Sequence, residues 1–535
     1  MSDEIISSLD EMIQRWIVAE REIKFLGQTH RQSSGFLSLT HKDVTEREIS
    51  FINGGFAIDS IDNEKAVFAD VYFGDEQGLG RGVVGATDVP IPSSALKRSI
   101  DAVLDLTLKL ATEHYLEQVG VSQTSKEKNI FYSLSRENVI KSKSTVPVRD
   151  ENLLSDENIR EIERFSERLY KNPYVEKVSA TMRFKDITRR FVNSEGTEIR
   201  STSFRGVFLA GLFLRTANSE LIEYTLPLHY FISPSKVKRF NYYSEVRTKK
   251  ILEHIDVLAN AKPIDTGEYP VILDGAALGV FFHEAIAAHL LSGKHIYQNQ
   301  SNVFADKIGK QIMPEFLSVI DDPAYRSGFG HYVYDEEGVR GQKTTLVENG
   351  VLKNFLLDRH SAGYLNLQSN GHARCEGIIG EDFRNGRLNV LMPEPRISNL
   401  FVESSMDLSE DDLIRLMREY CERTNREFGL YVKQGSGQVN IQTGQFFLYP
   451  GEAYKIYTDG KVELTSGINL MGDPYSILNE IVACSNRYAV RFGFCGAESG
   501  FVPTWERAPS AFFENVLFNK EIRERVTDRT IPKYI

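Results

Sequence analysis

The sequence predicts an α+β protein of two domains. N-terminal helices pack on an antiparallel sheet over residues 1–237, and residues 238–535 form a C-terminal domain rich in antiparallel strands. Three observations carry this expectation. A chain of 535 residues is longer than one ordinary core organises. Helical and strand periods come in blocks instead of alternating as βαβ units would require. Turn signals of the Asn-Gly and Asp-Gly kind separate strand-like runs. The hydrophobic content of 41% and charged content of 26% are those of a globular protein in water.

Taken in order, residues 3–24 place Ile5, Ile6, Leu9, Met12, Ile13, Trp16, Ile17 and Ile23 at helical spacing and predict a packing helix. The period then changes to two. Residues 36–40 and 66–73 read as antiparallel strands, with turns at Asn53-Gly54-Gly55 and Asp62-Asn63. The glycine-rich stretch 78–85 lacks the strand–GxGxxG–helix setting of a nucleotide fingerprint and reads as a loop. Residues 96–119 repeat Ile100, Val103, Leu104, Leu108 and Ala111 along one helix side, and 126–149 read as a polar connection. A charged helix follows at 157–169, with Asp156 at its N-cap. Residues 174–228 form a run of strands, with a hairpin turn at Asn193-Ser194-Glu195-Gly196. A helical connector covers 234–260. Beyond it, 343–357, 452–462 and 489–494 read as strands, with hairpin signals at Asn349-Gly350 and Asp459-Gly460, while 408–428 and 477–483 read as helical.

Composition narrows the function. A net charge of −11 and a pI near 5.6 argue against a nucleic-acid binder, which needs a basic face. The four cysteines, Cys375, Cys421, Cys484 and Cys495, include no CxxC, so neither a disulfide framework nor a zinc ribbon is expected. The start, MSDEIISSLDEMIQRW, lacks the basic and apolar regions of a secretory signal. No apolar run approaches the ~20 residues of a membrane span. The expectation is a cytoplasmic protein with no nucleic-acid or membrane partner.

The chemistry concentrates in residues 271–296. A strand-like run at 269–273 leads through Gly275 into small and apolar residues that read as a buried helix bearing His283, Glu284 and His289. Neutral imidazoles bind Zn²⁺, and an adjacent carboxylate can take a proton from the attacking water. Here the histidines stand six apart, HExxxxH, where the familiar helical version has four. On a regular helix that spacing turns them about 240° and separates them by about 9 Å, too far to share one metal. One residue absorbed as a π-bulge restores the facing.

These residues resemble the TldD/PmbA family of metallopeptidases, also called modulators of DNA gyrase. The resemblance rests on Phe281-Phe282-His283-Glu284-Ala285 with His289 and Gly293. It also rests on residues 191–197 (FVNSEGT), 314–321 (PEFLSVID), 335–338, 345–355 (TLVENGVLKNF), 369–374 (SNGHAR), 452–461 and 494–510, in that order. Two departures fall inside the motif. One residue more stands before the second histidine than in the family's HExxxH, and Ser292 replaces a usual glutamate. The resemblance implies a third metal ligand at Cys495, within Cys495-Gly496-Ala497-Glu498-Ser499-Gly500-Phe501-Val502-Pro503. Two histidines and a thiolate leave a fourth zinc position open. It further implies a zinc-dependent peptidase acting on unfolded or extended peptides. Zn²⁺ would sit on His283, His289 and Cys495, with Glu284 as general base and substrate held at a strand edge of the C-terminal domain. A homodimer, or a heterodimer with a family paralogue, goes with it.

His372, in the SNGHAR segment, is expected in a loop that can touch substrate, and His295 is an auxiliary candidate. Cys375, Cys421 and Cys484 read as ordinary small apolar residues. The pairs Asp321-Asp322, Glu336-Glu337 and Asp411-Asp412 read as solvated turns and caps. The competing expectation is a metal-free, inactive partner subunit of a TldD/PmbA-type dimer.

Overall fold

The computed structural model describes residues 9–11, 13–14, 22–25, 28–31, 34–75, 78–87, 93–124, 133–143, 155–217, 220–226, 229–237, 244–288, 290–297, 304–376, 391–440 and 443–520. Its architecture is α+β, with two large sheets, each with its own helices.

In the N-terminal sheet, Ser34–Ile52 pairs antiparallel with Gly55–Asp75 on one side and with Val175–Asn193 on the other. Glu198–Arg215 and Gly78–Thr87 extend it outward. The first hairpin turns at Asn53-Gly54, whose φ values of 55° and 78° suit the residue types. Asp62 and Asn63, expected at a turn, instead lie inside the second strand, opposite Glu46 and Thr45. The Thr45 hydroxyl donates to Asn63 Oδ1 across the ladder (2.8 Å), so the polar pair sits on an exposed stretch of sheet.

The glycine-rich stretch is a strand, not a loop. It runs beneath the helix Ser93–Thr124. A Cβ at Gly80 would lie 2.1 Å from the Ala111 carbonyl oxygen, and one at Gly82 2.3 Å from that of Thr107. The glycines are there for close helix–strand approach. The helix Asp156–Tyr170 is capped one residue earlier than expected, by Ser155, which accepts from the Asn158 N–H. Its Ile162, Phe165 and Leu169 share a core with Val178, Met182, Phe208 and Leu212, and with Ile255 and Leu258 of the helix Glu245–Ala259. Of the expected first helix, residues 9–11 and 13–14 are helical. Ile23 lies in the strand Glu22–Phe25, paired with Gln28–Arg31, and most of 3–21 is outside the described residues.

In the C-terminal sheet, Gly267–Leu273 lies parallel to Phe428–Val439 and antiparallel to Gly500–Lys520. Ile481–Ala497 forms a long hairpin with Gly500–Lys520. Two helix expectations shorten. The helix Glu410–Arg423 ends before Asn425, whose φ of 54° breaks the helical path, and Phe428 begins a strand. Around 477–483, a short helix Pro474–Leu478 capped by Asp473 gives way to a strand at Ile481.

The two halves meet across a buried polar seam. Lys42 Nζ lies 3.0 Å from Glu336, and Arg81 bridges Asp70 (2.7 Å) and Glu337 (3.7 Å). The Arg189 guanidinium donates to the Asp335 and Glu336 carbonyls. Glu336-Glu337 is therefore an interdomain contact, and Asp321 is fully buried; neither is a solvated turn. Asp412 does act as expected, within the Ser409 capping box.

Candidate metal centre

The site is built where the strand Gly267–Leu273 ends. Asp274 caps the next helix, accepting from the Ala277 N–H (2.7 Å). The helix Gly275–Phe282 is buried at every residue. It can lie flat on the sheet because Gly275 has no Cβ, which would stand 2.2 Å from the Ala508 carbonyl oxygen.

At His283 the helix widens into the expected π-turn. His283–Ala287 is π-helical, and the Ala288 N–H donates to the His283 carbonyl (2.9 Å). One turn later the Leu291 N–H donates to Ile286 in the same i→i−5 manner (3.1 Å). His289 lies outside the described residues.

His283 and Glu284 project toward the long hairpin. His283 Nδ1 lies 2.7 Å from Glu506 Oε1, and both side chains are almost wholly buried. An ionised carboxylate only accepts, so Nδ1 carries the proton and Nε2 is left for other use. Glu284 Oε1 lies 3.9 Å from Nε2. Cys495, 2% exposed, is hydrogen-bonded to the same imidazole from the strand Ile481–Ala497. Burial, the largest single influence, pushes the His283 pKa down. The charges of Cys495 and Glu284, with hydrogen bonds from the ring to Cys495 and Glu506, outweigh it and hold the ring well above its ordinary value. Glu506 is pushed up by burial but held below the usual range by Arg491 (3.3 Å) and His283. A buried pocket that holds an extra proton on an imidazole is one that favours positive charge.

The structure thus brings together His283, Glu284 and Cys495. Among the described residues no three His, Cys, Asp or Glu side chains form a complete metal-holding group; the third expected donor, His289, is not among them. Ser292 is buried beside the site and donates to the Pro395 carbonyl (3.2 Å). His372 is fully buried, with its ring nitrogens bonded to Asn370 (2.8 Å) and Asp321 (3.0 Å) and its carbonyl accepting from the Arg396 N–H (3.0 Å). That placement corrects its expected place on a substrate-facing loop: the ring ties the 369–374 segment to the sheet.

Glu506 is the functional residue that sequence reading missed. The signal was in the hairpin. Cross-strand partners share a face, and so do residues two or four apart on one strand. Cys495 is opposite Val502, and Arg491 is opposite Glu506. All four lie on one face, so a carboxylate four residues beyond Val502 stands on the face of the thiol, about 13 Å along the strand, where the His283 ring can reach both. Gly437 was also missed. A Cβ there would stand 2.6 Å from Glu284 Cγ, so the strand Phe428–Val439 leaves that room to the carboxylate.

Comparison with known proteins shows the family. The family model described as the PmbA/TldA metallopeptidase C-terminal domain matches residues 266–519, a span that contains every residue of the site. A metalloprotease of Methanocaldococcus jannaschii is 30% identical over 355 residues, 65% of this chain and 72% of that protein. The chain belongs to the PmbA/TldD metallopeptidase family. A second relative in that family, a metalloprotease of Methanothermobacter thermautotrophicus, is 32% identical over 49% of this chain and 52% of its own length. The fold of PmbA/TldD proteins is also recognisable in solved structures. TldE from Thermococcus kodakarensis superposes with a TM-score of 0.61 at 18% identity, covering 90% of this chain and 96% of that one. A Thermotoga maritima protein crystallised as a candidate modulator of DNA gyrase gives 0.66 at 18% identity, covering 97% and 100%. No described helix of this PmbA/TldD chain is long and apolar enough to cross a membrane.

Proposed function

We propose that this chain is a zinc-dependent peptidase of the cytoplasm that hydrolyses unfolded or extended peptides, with zinc on His283, His289 and Cys495. The observation that carries the reading is the convergence of His283, Glu284 and Cys495 in one buried pocket, with Glu506 fixing the imidazole tautomer. Carboxylate–histidine pairing of this kind orients metal-binding histidines. The donor set of imidazole and thiolate suits zinc and leaves one position open. A family relative from Saccharolobus solfataricus is named a zinc metalloprotease TldD homologue.

When bound, the ion supplies Lewis acidity toward a scissile carbonyl and a water. The remaining work belongs to the chain. Glu506 holds the His283 ring by Nδ1 and keeps Nε2 facing the pocket. Glu284, beside Nε2, accepts the proton of the attacking water and returns it to the leaving amine. The strand Phe428–Val439 supports the expectation of substrate held by β-augmentation. Its residues 430–432 pair with Gly267–Leu273, but from Gly435 to Val439 the described pairing is to Phe446–Pro450 on one side only. That edge passes Glu284 at Gly437. An extended peptide added there would present its backbone to the site whatever its sequence. A dimer, with itself or with a TldE-like paralogue, goes with this reading.

The test is metal content. Purified protein should carry stoichiometric zinc by elemental analysis and lose it with its peptidase activity on chelation. Cys495→Ser should lose both yet still fold, with the unfolding midpoint of zinc-free wild type, because a domain of this size does not depend on one ion to fold. Wild-type protein that binds no zinc and gains no activity from it would overturn the reading in favour of a metal-free partner subunit.

A further inference from the structure

Cys495 stands near the tip of its hairpin. Ala497 is the last residue of one strand, Gly500 the first of the next, and Gly500 takes a φ of 84°. Hairpin tips are ordinarily among the least constrained parts of a fold, yet a metal ligand must be held to a fraction of an ångström.

This tip is gripped from behind by a buried arginine. Arg396 is 1% exposed. Its Nη2–H donates to the carbonyl of Cys495 itself. Its Nη1–H groups donate to Ser499 Oγ (2.6 Å) and to the Gly500 carbonyl (3.2 Å). All three acceptors belong to the tip. Glu376 supports the far side, accepting from the Phe501 N–H and donating its own N–H to the Ser499 carbonyl. Arg374 donates to the Pro503 carbonyl (2.9 Å).

Arg396 makes no ion pair among the described residues; its bonds go to carbonyl and hydroxyl oxygens. A buried guanidinium without a carboxylate is a poor way to gain stability, and an apolar side chain of similar volume would serve a core better. What a guanidinium offers is a rigid planar fork of donors that fixes several acceptors in one geometry. We infer that Arg396 is a positioning residue that sets the place of the Cys495 sulfur for the metal by holding the backbone on both sides of the turn. This rests on the proposed role of Cys495 as ligand.

The test uses full-length protein loaded with cobalt(II), whose thiolate absorption band reports the metal–sulfur bond, together with zinc affinity by chelator competition. Arg396→Lys keeps the charge but cannot span the three acceptors. It should lower zinc affinity about tenfold to hundredfold, the range for outer-shell partners, and weaken or shift the cobalt–thiolate band, with little change in the unfolding midpoint. Ser499→Ala removes one of the three bonds and should move both readouts the same way by less. Its fold is not at risk, so the inference can be tested even where the lysine variant does not fold. Met417→Ala, in the separate core beneath the helix Glu410–Arg423, serves as a destabilised control that should leave band and affinity unchanged. Wild-type band and affinity in Arg396→Lys, or in Ser499→Ala where only that variant folds, would overturn the inference. So would losses equalled by Met417→Ala. A wild-type protein with no cobalt–thiolate band at all would overturn the ligand reading first and this inference with it.

Discussion

Replacing Glu506 probes the site without touching a proposed ligand. Its carboxylate is fully buried, 2.7 Å from His283 Nδ1 and 3.3 Å from Arg491 Nη1. Gln has the same shape but no charge, and its amide offers only one acceptor. If that oxygen accepts from His283, the NH₂ faces the Arg491 guanidinium, donor against donor. If it turns to Arg491, the ring loses its acceptor. Charge-assisted hydrogen bonds are roughly twice as strong as neutral ones, and loss of an outer-shell partner costs about 10- to 100-fold in metal affinity. That is roughly 1.4–2.7 kcal/mol. Glu506→Gln should fall near the lower end and Glu506→Ala near the upper, since the latter leaves both the ring and Arg491 unpaired. Arg491→Met keeps the ring–carboxylate bond and should cost less than either. The assay is zinc competition against a chromophoric chelator at constant pH and salt, with thermal unfolding in parallel. Wild-type zinc affinity in Glu506→Ala would refute the assignment of Glu506 as the group that orients His283.

Two substitutions act on the proposed base. Glu284→Gln should keep zinc but lose activity by about 10²- to 10⁴-fold, whereas Gly437→Ala, whose new Cβ would stand 2.6 Å from Glu284 Cγ, should keep zinc and slow turnover by displacing that carboxylate; full turnover in either would mean that another group takes the proton. A different prediction concerns pH. His41 is fully buried, its Nδ1 accepts from Arg190 (3.1 Å), and burial, then the Arg190 charge, lowers its pKa to about 4. The unfolded chain takes up this proton below about 6.5 and the folded chain does not, so its contribution is intact above 6.5 and is lost as pH falls toward 4, up to about 3 kcal/mol. His41→Asn should flatten the drop in unfolding temperature between pH 7.5 and pH 5, and an equal drop in both proteins would contradict this.

The fold was legible where local chemistry and tertiary packing agree. Asn53-Gly54 and Asn349-Gly350 are turns because their residues tolerate positive φ, and that preference is local. It failed where a neighbour distant in sequence decides. Gly80 and Gly82 look like loop residues until the helix Ser93–Thr124 is laid over them. Glu336 and Glu337 look solvated until Lys42 and Arg81, hundreds of positions earlier, reach them from the other sheet. In the site, His283 and Glu284 were visible as a motif and Cys495 through its family segment. Glu506 was not, because its role exists only once the hairpin register sets it on the face of Cys495. His372 was misplaced for a related reason: a polar residue in a polar segment says nothing about whether Asp321 waits behind it.

The extra residue in the HExxxxH motif was the strongest sequence argument against a working site, and the structure changes its weight. Inserted into a regular helix, one residue rotates everything after it by about 100°. Leu290 and Leu291, both fully buried, would then leave the core. Instead the chain opens into i→i−5 bonds at Ala288 and again at Leu291, so the added length is taken up in the turn while the leucines stay in place. A π-turn has poorer geometry than an α-turn and is found mostly where a site requires it. Here it starts at the histidine that Glu506 holds and Cys495 meets. A subunit with no ion to bind has no physical need to keep a wide turn, a buried histidine–carboxylate pair and a buried thiol together in one pocket. A whole buried pair of this kind can often be exchanged for well-packed apolar side chains at little cost to stability, and a buried thiol for another small apolar residue. Their joint presence is what weighs the site toward a metal-binding role over that of a metal-free partner.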